Sequence, residues 1–298
     1  MELLTFFLEI RGNIMKTYYL NFAGNIIKMQ TENDITITEK LTPFLLQEQP
    51  EKVDCLLNVR VCEQLPAYES GGYWRGTTYY VYHGEELHVF HVDKAGEPPF
   101  AVTCFHEDGN VTLLYLKEYA HYFTGSSRIF NKIGAEQLLL QQSRLLLHAS
   151  FVKYKGNGIL FSGPSGVGKS TQADLWKCTM GAEIVNGDRV AVSLSDEGGT
   201  AWGIPYAGTS GICYNENAHI SAIVILRQAK ENRIVKMSAI EAIKYLYPET
   251  TIHQWDIHFV EKVTSLLSAL VSAVPVYLLE CVPDESAVLM LGEMLKLQ

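Results

Sequence analysis

Gly163-Pro164-Ser165-Gly166-Val167-Gly168-Lys169-Ser170 fits the pattern G-x-x-x-x-G-K-[ST] at every position. It stands between a run with strand character, Ile159 to Phe161, and a stretch with helical character that opens at Lys169. Each residue type has a physical reason to be there. The glycines allow backbone N–H groups to converge on phosphate oxygens, and the N-terminus of the following helix adds partial positive charge at the same place. The Lys169 ammonium is long enough to meet the outer phosphates of a nucleotide, and the Ser170 hydroxyl is a hard oxygen ligand suited to magnesium. A glycine-rich turn before an ordinary helix would need neither the lysine nor the hydroxyl. Gly163, Pro164, Ser165, Gly166, Val167, Gly168, Lys169, Ser170 and the adjoining Thr171 are therefore the expected nucleotide-binding residues, with ATP and Mg2+ as the expected cofactors.

Upstream, LLHASFVKYKGNGILFSG (residues 146–163) reads as two strands joined by a tight KGNG turn, so the loop is entered from a hairpin. Downstream, the pattern predicts a helix from Lys169 to Met180 ended by Gly181, then one strand through GAEIVNGDRVAVSL. Further strands are expected near Trp202, from Ser221 to Leu226 and from Val276 to Leu279. Helices are expected around Val260 to Val271 and from Asp284 onward. From Tyr18 to about Leu116, short runs rich in aromatic and β-branched residues alternate with turn formers and read as a mostly β domain. Between them AEQLLLQQSRLLL (residues 135–147) has leucines at helical spacing, which predicts a joining helix. The expected fold class is α/β, with residues 1–14 as an extension, 15–135 as a smaller β-rich domain that helps to recognise an acceptor, and 136–298 as a P-loop domain.

The composition sets limits on partners. A chain of 298 residues with 47% hydrophobic content buries a sizeable core, and a net charge of −9 offers no general attraction to nucleic acid or an anionic membrane. An anionic ligand has to be captured locally. The six cysteines include no C-x-x-C pair and no zinc spacing, which predicts free thiols. The N-terminal MELLTFFLEIRGN carries Glu2 and Glu9 without a basic start, and no apolar run approaches the ~18 residues that span a bilayer. The expectation is a cytoplasmic protein without a membrane or nucleic-acid partner; homo-oligomer formation is left open.

A phosphate loop alone spans many activities, and absences narrow them. No Asn-Lys-x-Asp signature follows the loop, no LSGGQ-type motif is present, and neither H-R-D nor D-F-G occurs. These absences weigh against guanine-nucleotide switches, transporter ATPases and eukaryotic-type protein kinases. Eighteen residues after Ser170, an apolar run ends in Asn186-Gly187-Asp188-Arg189 and puts a carboxylate where a second metal anchor is needed. Ser170 and Asp188 are the expected metal ligands. A turn aspartate in an N-G-D sequence is the plainer alternative for Asp188.

The order of these parts resembles the HPr kinase/phosphorylase family and its relatives, which share a fold with ATP-dependent phosphoenolpyruvate carboxykinase. The parts are His148, fifteen residues before Gly163 across a hairpin; the loop; a glycine-ended helix; and an apolar run ending in Asp188-Arg189-Val190. The resemblance covers roughly Leu145 to the C-terminus. It implies an ATP- and Mg-dependent kinase that transfers the γ-phosphoryl group to a hydroxyl, of a serine or threonine in a peptide or protein, or of a small molecule. It also implies Lys169 on the phosphates, Ser170 on magnesium and His148 near the transferred group, so that Asp188, His148 and Lys169 are the expected catalytic residues. The chain departs from the family at Gly187, where the first of two adjacent aspartates would stand as general base. That leaves Asp188 serving both metal and hydroxyl, His148 taking the proton, or a transfer that needs little base assistance. It also keeps a second reading in play, an ATP-binding regulatory module with little or no turnover. Arg189 and Arg227 are candidates for neutralising phosphate charge, and the turn-rich Gly203 to Gly211 reads either as a mobile lid or as an ordinary connection.

Overall fold

The structure, a computed structural model, describes residues 15–67, 72–76, 79–83 and 86–296. The extension expected over residues 1–14 lies outside the described residues. The chain is mixed α/β and divides into two compact units, residues 1–135 and 136–298.

The first unit is built on one sheet of β1 (Lys16–Phe22), β2 (Asn25–Thr31), β3 (Cys55–Cys62), β4 (Gly72–Arg75), β5 (Tyr79–His83), β6 (Leu87–His91), β7 (Ala101–Phe105) and β8 (Val111–Leu116), in the order β1-β2-β3-β8-β7-β6-β5-β4. β2, β3 and β8 run parallel to one another, and the remaining neighbours are antiparallel. Ala23 and Gly24, both at positive φ, make the tight turn between β1 and β2. In β2 the residues Asn25, Ile27, Met29 and Thr31 are buried and their neighbours are not, the period of a strand with one covered face. A short helix α1 (Ser126–Phe130) follows the sheet.

The second unit opens within α2 (Ala135–Gln141). Its strands are β9 (Arg144–Tyr154), β10 (Asn157–Ser162), β11 (Glu183–Asn186), β12 (Arg189–Ser195), β13 (Gly198–Trp202), β14 (Asn217–Gln228), β15 (Arg233–Lys236) and β16 (Val276–Cys281). The sheet runs β10-β9-β12-β13-β14-β16-β15, with β11 also on β9. β14 pairs with β10 as well as with β13, which closes five strands into a ring. Four helices cover this sheet: α3 (Lys169–Met180), α4 (Ala239–Leu246), α5 (Ile257–Ala273) and α6 (Glu285–Met294). Along β14, Ile223 and Ile225 join one core with Leu246, Val263 and Leu267 of α4 and α5, while Val224 and Leu226 join the other with Trp176 of α3 and Leu291 of α6. A strand covered on both faces needs the continuous apolar run that β14 has, and each fully buried Leu or Ile contributes about 1.5–3 kcal/mol.

Two expectations need correction. The helix expected over residues 135–147 ends at Gln141, and residues 145–147 belong to β9. Ser143, at φ 56, leaves the right-handed region and stops the helix; the leucines beyond it satisfy a buried strand as well as they satisfy a helix. GAEIVNGDRVAVSL is two strands, interrupted at Gly187-Asp188. That interruption is what presents Asp188. β15 and α4 lie where the sequence pattern had suggested no element. Among the described residues no helix is long and apolar enough to cross a membrane.

Candidate functional site

β10 delivers the chain at Ser162 into the loop Gly163–Gly168, and α3 begins at Lys169. Gly163 is at φ 139, a conformation that side-chain-bearing residues rarely adopt, so the backbone requires glycine there; a Cβ would stand 3.2 Å from Val167 Cγ1. Gly168, at φ 117, precedes α3 without a side-chain cap, and no acidic residue lies in the first turn. The N–H groups of that turn are left for a ligand. From the end of β14, Gln228 Nε2 donates to the carbonyls of Gly166 and Val167, each at 3.4 Å, and holds the loop from the side.

Lys169 is 8% exposed, and its Nζ donates to the carbonyls of Gly163 at 2.7 Å and Pro164 at 3.2 Å. Burial pulls the pKa of this ammonium down, and the charges of Glu249 and Asp188 partly offset the effect. The lysine is thus a desolvated cation held by neutral carbonyls, free to exchange them for phosphate oxygens.

Asp188 sits in the break between β11 and β12, and the break is braced by Asn186. That side chain is fully buried; its Oδ1 accepts from the N–H groups of Asp188 and Arg189, both at 3.0 Å, and its Nδ2 donates to Ile204 O at 2.8 Å. Ser150 Oγ donates to Gly187 O at 3.0 Å, and Ala149 N donates to Asp188 O at 3.0 Å. The Asp188 carboxylate is thereby fixed from the backbone side and remains about one-third exposed on the other (32%).

His148 of β9 stands between two carboxylates. Its Nε2 is 3.6 Å from Asp188 Oδ1, and its Nδ1 is 2.9 Å from Glu249 Oε2. Glu249 follows α4, and the chain there runs beside β9: His148 N donates to Glu249 O at 2.8 Å and Thr251 N to Leu146 O at 2.9 Å. No sequence motif singles out Glu249, which reaches the site from 101 residues away. Arg189 lies at the same place, its Nε 3.7 Å from Asp188 Oδ2 and its Nη1 donating to Thr251 Oγ1 at 3.4 Å. Arg227, offered by the sequence as a second phosphate arginine, instead donates to Glu280 Oε1 from Nε at 3.1 Å and Nη2 at 2.6 Å across the β14–β16 pair, and its charge is committed there.

The segment from Gly203 to Gly211 lies on the Gly187-Asp188 turn. A Cβ on Gly208 would stand 2.6 Å from Asp188 Cγ, and a Cβ on Gly187 would overlap Ser210 Oγ and stand 2.7 Å from Ser210 Cβ. Gly187 N also donates to Ile212 O at 3.3 Å. The position without a carboxylate is therefore filled by a neighbour's hydroxyl. Steric exclusion, with Ser210 where it is, forbids any side chain at residue 187.

The donor set fits the groups that the sequence implies. A loop without β-carbons at its glycines, uncapped helix N–H groups and one buried ammonium suit a polyphosphate. The Ser170 hydroxyl and Asp188 carboxylate are hard oxygens of the kind magnesium takes, and among the described residues no cluster of three or more His, Cys, Asp or Glu side chains forms a protein-only metal cage.

No protein-family model matches the chain, and no curated protein matches it. Among solved structures the chain is similar to the Hpr(Ser) kinase/phosphatase from Coxiella burnetii, with 13% identity and a TM-score of 0.30 over 51% of this chain and 97% of that one. What the site can do follows from its own residues.

Proposed function

We propose that residues 136–298 form an ATP- and magnesium-dependent kinase that transfers a phosphoryl group to a hydroxyl. The observation that carries the reading is the buried Lys169 ammonium held by two loop carbonyls, with Asp188 and Glu249 both acting on it electrostatically. ATP with its magnesium ion supplies the phosphoryl group and a strong local positive charge. Lys169 and the N–H groups of α3 bind and orient the phosphates; Ser170 and Asp188 hold the metal. The proton of the acceptor hydroxyl leaves either to Asp188 or to His148 Nε2, and in the second case Glu249 holds the ring by its Nδ1. The order of motifs shared with the HPr kinase/phosphorylase family suggests a serine or threonine of a peptide or protein as acceptor.

A second reading, a nucleotide-binding regulatory module with little turnover, is favoured by one observation: the Gly203–Gly211 segment already lies against Asp188. Single-turnover incubation with labelled ATP, magnesium and hydroxyl-bearing peptides separates the two. Labelled peptide that disappears in the Lys169→Ala variant supports the kinase. ATP binding that depends on Lys169, without any phosphorylated product, supports the module. Absence of both overturns the nucleotide site.

A further inference from the structure

The first unit has an open cleft of about 430 Å³, lined by polar and apolar atoms, that has no part in the site above. That size falls within the ~300–1,000 Å³ of small-ligand sites. Its walls come from two stretches far apart in sequence, one around Thr38 and one from His121 to Arg128. They are tied together by backbone and hydroxyl bonds: Thr36 N donates to Thr124 O at 2.7 Å, Ser126 N to Thr36 O at 3.0 Å, and Ser127 Oγ to Thr38 Oγ1 at 3.3 Å. The walls are therefore fixed before any ligand arrives.

The lining carries one full cation, Arg128, with the hydroxyls of Tyr122, Thr38 and Ser127, and among the described residues no acidic side chain lines the cleft, in a chain whose net charge is −9. The Arg128 guanidinium lies over the Tyr122 ring, 4.5 Å from its centroid. Among the described residues its side chain makes no hydrogen bond or ion pair; the tyrosine is its partner. A guanidinium stacked on a ring is oriented, while its N–H edge stays open for a bidentate contact. His121 adds a second ring, tethered through Nδ1 to Glu118 O at 3.0 Å with Nε2 left over.

We infer that this cleft binds an oxyanion, a phosphate or a carboxylate, through the Arg128 fork with the neighbouring hydroxyls around it. The inference is independent of turnover at the P-loop. It is tested by calorimetric titration of the whole chain with three probes: inorganic phosphate, a short phosphoserine peptide, and the same peptide with glutamate in place of phosphoserine. Running the titrations in the Lys169→Ala variant as well as in the unaltered chain separates this cleft from the P-loop. The expected result is saturable binding of at least one probe in both backgrounds, weakened about tenfold or more by Arg128→Gln and less by Arg128→Lys, which keeps the charge but not the fork. Preference for phosphoserine over glutamate, or the reverse, names the source of the oxyanion. No saturable binding outside the P-loop, or binding that Arg128→Gln leaves unchanged while circular dichroism shows the variant folded, overturns the inference.

Discussion

Gly187→Ala tests the contact that decides how the β11–β12 break is built. The new methyl carbon would overlap Ser210 Oγ and stand 2.7 Å from Ser210 Cβ, where carbon–carbon contacts settle near ~3.5–4.0 Å. Ser210 has to turn away or the segment has to shift. Overpacking of this kind costs about 1–3 kcal/mol. Turning the hydroxyl also breaks its donation to Ala207 O at 2.7 Å and its acceptance from Ile212 N at 3.3 Å, worth about 0.5–1.5 kcal/mol each. The expected loss is about 2–6 kcal/mol, or roughly 4–24 °C in the calorimetric transition of a unit this size. Ser210→Gly alone forfeits the two hydrogen bonds but leaves room for the methyl, so Gly187→Ala in the Ser210→Gly background should cost almost nothing. The double-mutant coupling is then at least about 2 kcal/mol. Equal destabilisation by Gly187→Ala in both backgrounds would refute the steric account, and so would a Gly187→Ala chain as stable as the wild type.

Four further outcomes follow from the site. Lys169→Ala should abolish ATP binding in equilibrium dialysis while leaving the melting transition within a few degrees of the wild type, because the ammonium is held by carbonyls that water can replace. Asp188→Asn should remove most peptide phosphorylation without unfolding, and retained activity would sink its metal role. Glu249→Ala should lower single-turnover transfer by about 10²-fold if His148 takes the proton, with Glu249→Gln recovering part of it by keeping an acceptor for Nδ1; an unaffected rate leaves Asp188 as the acceptor. Glu136 is partly buried, and desolvation would raise its carboxyl, but the hydrogen bond and charge of His253, aided by Arg189, hold it below the ordinary carboxylate range. Its folded value is depressed, so its stabilisation is present above the ordinary carboxylate range and is lost as pH falls through that range and below it. The stability difference between wild type and Glu136→Gln should shrink over that window, and a flat difference would contradict it.

What could be read along the chain was what local rules determine. The α3 helix begins at Lys169 and ends before Gly181 as expected, because a glycine at φ 68 is the ordinary stop for a helix. The KGNG hairpin was legible for the same reason, with Lys155 and Gly156 both at positive φ. The leucines from 138 to 147 were not, since both a helix and a doubly covered strand need them apolar, and the stop at Ser143 carries no glycine or proline to announce it. Glu249 and Ser210 were invisible for a different reason. Each acts on a partner brought to it only by sheet pairing, His148 for the first and Gly187 for the second. Arg227 failed the same way: an arginine near a phosphate loop looks useful until register places Glu280 opposite it.

One strand ties these distant pieces together. His148 N donates to Glu249 O, Ala149 N donates to Asp188 O, and Ser162 Oγ donates to His148 O at 2.9 Å. Two adjacent residues of β9 thus hold the segment after α4, the β11–β12 break and Ser162, the residue before the Gly163–Gly168 loop, by bonds to main-chain atoms. The relative positions of Asp188, His148 and Glu249 are set by peptide groups that substitution of their side chains does not remove, and the link to the loop before Lys169 runs through the Ser162 hydroxyl. Backbone bonds of this kind contribute about 0.5–1.5 kcal/mol each, and truncation of the four candidate side chains leaves them in place. Loss of transfer in Lys169→Ala, Asp188→Asn or Glu249→Ala would therefore report chemistry, whereas Ser162→Ala, which cuts a bond to the His148 carbonyl, should lower stability and activity together.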